Sequence, residues 1–98
     1  MTRAELVKAA LNSYDELVPR CQLAEARGFG SPGYVAKLSA SWRKSLQTMA
    51  GPELMDPQAE RLLANLIATV KGPLDDEALI EWLHTFPLTI ASWLEPPY

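Results

Sequence analysis

Apolar residues recur along this chain at the 3.6-residue period of amphipathic helices, and proline and glycine punctuate them. The stretch from Asp56 to Leu94 carries the clearest signals. Asp56 offers a side-chain acceptor to a helix first turn, and Pro57 sits at the first helical position, where no N–H is needed. Ala59, Leu62, Leu63, Leu66, Ile67 and Val70 then form one stripe, and Lys71-Gly72-Pro73 ends it with a left-handed glycine cap. This predicts a helix over 57–71. Asp75 caps the next, over 76–86, with Leu74 and Leu79 as a hydrophobic staple. Leu79, Ile80, Trp82, Leu83 and Phe86 make that helix apolar nearly all round, so Trp82 is expected to be fully buried. Pro87 is expected to break it, leaving a short helix over 88–94 and an extended tail over 95–98.

Upstream, Thr2 and Glu5 fit a capping box for a helix over 3–27 with a stripe at Val7, Ala10, Leu11, Tyr14, Val18 and Cys21. Pro19 lies inside it and predicts a kink or split. Ser31 and Pro32 read as cap and first residue of a helix over 32–49, with Val35, Leu38, Trp42, Leu46 and Met49 inward. Leu54 and Met55, in the following loop, are expected to pack back on the bundle. No run alternates with period two, so no sheet is expected. The fold class is therefore all-α, a compact bundle of about five helices in one domain spanning 1–98. Its expected core is Leu11, Tyr14, Val18, Leu38, Trp42, Leu46, Leu63, Leu66, Ile67, Leu79, Trp82, Leu83 and Ile90.

Composition narrows the class. The 98 residues are 48 % hydrophobic, enough for a core without staples. A net charge of -3 opposes generic binding to nucleic acid or anionic membrane. One cysteine excludes an internal disulfide or a cysteine-rich zinc site. Apolar runs are too short to span a membrane, and the acidic residues near the start do not suit a signal peptide. A cytoplasmic protein is expected.

Candidate chemistry is sparse. Cys21 and His84 could pair as nucleophile and base, but Cys21 continues an apolar stripe and His84 lies beside Trp82, Leu83 and Phe86. The acids Asp75, Asp76, Glu77 and Glu81 are explained by capping and the helix dipole before catalysis. Gly28, Gly30 and Gly33 spell a dinucleotide fingerprint, but a helix precedes them where a strand is required. A helix-turn-helix across Gly72-Pro73 would present Asp75-Asp76-Glu77 to phosphates. No enzyme activity, cofactor or metal is expected.

Charge distribution says more than charge. Gly28 to Pro52 holds Lys37, Arg43 and Lys44 and no acid, whereas Glu53 to Tyr98 holds two basic and eight acidic residues. Lys37, Ser41, Lys44 and Thr48 follow helical spacing with Arg43 beside them, the expected partner-binding face. As an ordinary solvated face, the same strip would simply balance the acidic half. Asp76, Glu77, Glu81, Trp93 and Tyr98 form a secondary candidate surface. The expectation is a protein–protein interaction module acting as adaptor, inhibitor or regulatory partner. The alternative is a nucleic-acid-associated regulator using the basic face, with a homodimer doubling the strip.

Overall fold

The computed structural model describes residues 1–95. Four helices form where the periodicity places them: α1 (Arg3–Ala26), α2 (Tyr34–Thr48), α3 (Pro57–Lys71) and α4 (Asp76–Leu94). No strand occurs among the described residues, and Thr2 with Leu54 makes one isolated bridge. The capping chemistry at three helix starts is as expected. Thr2 accepts from the Glu5 N–H at 3.2 Å while Glu5 accepts from the Thr2 N–H at 3.1 Å. Asp56 caps α3 through Gln58, and Asp75 caps α4 through Ala78.

Among the described residues the helices number four, not five, because neither internal proline ends a helix. Pro19 lies within α1, and it and Asp15 both face solvent. The carbonyl of Asp15, which loses its N–H partner there, can be hydrated. Pro87 lies within α4, buried, and the carbonyl it orphans is that of Leu83. Tyr14 fills that place, its hydroxyl donating to the Leu83 carbonyl at 3.2 Å. A buried orphan carbonyl is thereby satisfied from another helix, and α4 continues to Leu94.

α2 also begins differently from expectation. Ser31 makes no side-chain cap; Gly33 is the cap residue at φ 81°, a left-handed position that suits glycine. Its first turn is capped from α1, since Glu25 accepts from the N–H groups of Gly33 at 3.1 Å and Val35 at 2.8 Å. At the end of α3, Gly72 is extended (φ -72°, ψ 177°) rather than left-handed. Pro73 after it disfavours helical backbone. Arg20 of α1 meanwhile supplies donors to the last turn, at 2.6 Å to the Val70 carbonyl and 2.9 Å to that of Gly72.

These cross-links show α1 to be the organising element, rather than the Asp56–Leu94 stretch. It packs against all three other helices; α2 and α3 both touch α1 and α4 but not each other. Arg27–Asp76, Cys21–Leu79 and Tyr14–Leu83 run α4 antiparallel to α1. Val35–Glu25 and the Arg43–Asp15 ion pair do the same for α2. The α2–α3 loop crosses the start of α1, where the carbonyls of Glu53 and Gly51 accept from the N–H groups of Arg3 (2.8 Å) and Ala4 (2.9 Å). Free first-turn donors are satisfied in this way.

One core joins all four helices, with Leu6, Tyr14, Leu17, Val35, Leu46, Leu83, Phe86, Ile90 and Leu94 fully enclosed. Eight of the expected core residues are buried; Val18, Leu38, Trp42, Ile67 and Trp82 are half-buried against it. Trp82 is thus not the central aromatic. Phe86 is, stacked parallel to Tyr14 with ring centres 6.0 Å apart. Met55 packs back as expected, but Leu54 is 82 % exposed because its backbone, not its side chain, is what the loop uses.

Candidate functional site

Helical spacing brings Lys37, Ser41, Lys44 and Thr48 onto one exposed face of α2. Lys37 and Lys44 have no ion-pair partner among the described residues. Arg43 does. It is half-buried and ion-paired with Asp15 of α1, in a groove of about 300 Å³ that Lys8, Asn12 and Gln47 also line. The expected five-residue face therefore divides, with Arg43 tying α2 to α1 and four residues left to solvent.

Beside the strip lies an apolar cleft of about 250 Å³ lined by Tyr34, Lys37, Leu38 and Ser41. Leu38 lines it and is only half-buried, so the stripe assigned to the core is wider than the space that buries it. The Tyr34 hydroxyl reaches across to α4 and lies 2.6 Å from Nε2 of His84, with the rings tilted at 40°. Sequence inspection missed Tyr34 and the cleft. The contact spans fifty positions and leaves no periodic trace.

The secondary surface is only partly assembled. Arg27 grips Asp76 through two bonds of 2.7 and 2.8 Å, which holds the Asp76 carboxyl below its usual range. Glu77 and Glu81 stand exposed along α4, and Trp93 is half-buried against the core. Tyr98 and the tail beyond Glu95 lie outside the described residues.

Cys21 and His84 have separate partners. The Cys21 thiol is buried, donates to the Leu79 carbonyl at 3.2 Å, and is pushed up to about 11 by burial. At neutral pH such a thiol is protonated and out of reach. No group of three or more His, Cys, Asp or Glu side chains that could hold a metal occurs among the described residues. No helix among them is long and apolar enough to cross a membrane. The described residues make an all-α, four-helix fold with an open basic strip beside an apolar cleft. No family model matches the sequence, and neither a curated protein nor a solved structure matches it.

Proposed function

We propose that this chain is a protein–protein interaction module, an adaptor, inhibitor or regulatory partner, that docks an acidic partner surface on α2. One observation carries the reading: Lys37 stands unpaired in the lining of the cleft formed with Tyr34, Leu38 and Ser41, and Lys44 stands unpaired about two turns further along the same helix, while neighbouring Arg43 is neutralised by Asp15. An apolar centre with charges at its edge suits a protein surface, where the charges steer encounter and the centre holds the complex. Ser41 and Thr48 add hydroxyl groups to the same face. The nucleic-acid reading is weakened by the loss of Arg43, which leaves two lysines for phosphates where strong duplex binders use many more.

The test is affinity capture with the wild-type chain and with Lys37→Glu/Lys44→Glu, both checked for folding by circular dichroism. A partner held by wild type should be lost or bind more slowly to the double variant, and its wild-type association should slow as salt rises. Capture of the same proteins at the same rate by both chains would overturn the reading. Salt-dependent binding to a random DNA duplex, lost in the variant, would favour the nucleic-acid alternative.

A further inference from the structure

The groove of about 300 Å³ between α1 and α2 shares no lining residue with the Tyr34/Leu38 cleft. Two contacts tie its walls together. The Arg43–Asp15 ion pair bridges the helices at one end, and near the other the Ala4 N–H donates to the Gly51 carbonyl at 2.9 Å. Between them Lys8 and Asn12 line the groove from α1 and Gln47 lines it from α2, all three exposed, with buried Val7 and Leu11 also in the lining. Because the helices run antiparallel, Asn12 and Gln47 each lie about one turn from the ion pair in the same direction, so the two amides stand level. Lys8 follows one turn beyond Asn12. Asp15 and Arg43 cancel each other, whereas Lys8 has no ion-pair partner among the described residues. The groove thus carries one uncancelled positive charge beside a pair of facing amides.

We propose that this groove binds an extended peptide segment of a partner protein, with an acidic side chain of that segment on Lys8. Width favours an extended chain. Packed helices stand about 8–10 Å apart, and the trough between their side chains is too narrow for a third helix of about 10–12 Å diameter. Ala4 and Asp15 are about 16 Å apart along α1, which spans about five residues at the 3.3 Å rise of an extended chain. Such a chain offers N–H and C=O groups, and the Asn12 and Gln47 amides each supply both a donor and an acceptor to meet them. Lys8, about 6 Å further along, then meets a side chain about two residues on, and its charge selects a carboxylate. Because the two cross-links hold the walls in place beforehand, binding orders little of the protein. This site lies apart from the α2 cleft and stands without the reading given above.

The experiment is a nuclear magnetic resonance titration of the full chain with three probes. They are the blocked peptide acetyl-Ala-Ala-Glu-Ala-Ala-amide, the same peptide with glutamine for glutamate, and sodium glutarate. The glutamate peptide should shift the backbone signals of Lys8, Asn12 and Gln47 and leave those of Lys37 and Glu81 in place. Its binding should weaken with salt. The glutamine peptide should bind at least about threefold more weakly, the scale of one exposed ion pair. Lys8→Gln should abolish that difference, and Asn12→Ala/Gln47→Ala should weaken both peptides alike while leaving glutarate unaffected. All three side chains are exposed, so the variants should keep the wild-type circular dichroism. The comparison of probes on wild type decides the matter even if a variant fails to fold. Absence of shifts along the groove, equal binding of the two peptides, or glutarate binding as tightly as the glutamate peptide would each overturn the proposal. The last result would show a site for free carboxylate rather than for a peptide chain.

Discussion

The hydroxyl of Tyr14 donates a 3.2 Å hydrogen bond to the carbonyl of Leu83, four residues before Pro87. That carbonyl would otherwise accept from an N–H at position 87, which proline lacks. The tyrosine thus replaces a backbone bond inside the core, and burial raises its own pKa because the phenolate would be desolvated there.

Tyr14→Phe should therefore cost about 1–3 kcal/mol, the usual penalty for leaving a buried carbonyl unsatisfied. The cost should shrink in a Pro87→Ala background, where an N–H is available to the same carbonyl. A double-mutant cycle by urea unfolding checks this. Additive effects would show that Tyr14 does not stand in for the missing bond.

Phe86 and Trp82 should separate in the same assay. Phe86 is fully buried and stacked on Tyr14, so Phe86→Ala is expected to cost about 3–5 kcal/mol. Trp82 is half-buried, and Trp82→Ala should cost distinctly less despite the larger side chain. Equal losses would contradict the observed placement of the two rings.

Glu25 holds the start of α2 from the end of α1. Removing an N-terminal cap typically costs about 0.5–2 kcal/mol, so Glu25→Ala should destabilise by that amount. Local loss should exceed global loss, with faster amide exchange at Gly33 and Val35 than in α1 or α4. Glu25→Gln, which keeps one acceptor, should fall between. Uniform exchange across the molecule would argue against a local cap.

Alkaline stability should report the buried thiol. Unfolded, a cysteine ionises near its usual pKa of about 8.5; folded, Cys21 is pushed up to about 11 by burial. Between those values the unfolded chain binds fewer protons, so stability falls as pH rises. Tyr14 adds a fall of the same sign at higher pH, because burial raises it too. The unfolding midpoint should decline from about pH 9 upward, and Cys21→Ala should remove the first part of that decline. A thiol reagent at neutral pH should modify Cys21 only as fast as the chain opens. Rapid labelling of the folded protein would refute the burial argument.

Local chemistry by itself determined most of this protein's secondary structure. The Thr2–Glu5 box, the Asp56-Pro57 start and the Asp75 cap act within a few residues, so the starts of α1, α3 and α4 and the all-helical class were legible without any tertiary contact. Tertiary structure decided what depends on partners distant in sequence. Whether Pro87 ends a helix turned on Tyr14 reaching Leu83, and how α2 begins turned on Glu25 rather than Ser31. The same holds at the candidate site. Spacing alone put Lys37, Ser41, Lys44 and Thr48 on one face, because one helix suffices to align them. That Arg43 is tied to Asp15, and that an apolar cleft opens beside Tyr34, followed only from the packing of α1 and α4 against α2. A helical stripe records which residues are apolar, but the neighbours that a helix acquires decide how much of the stripe is covered.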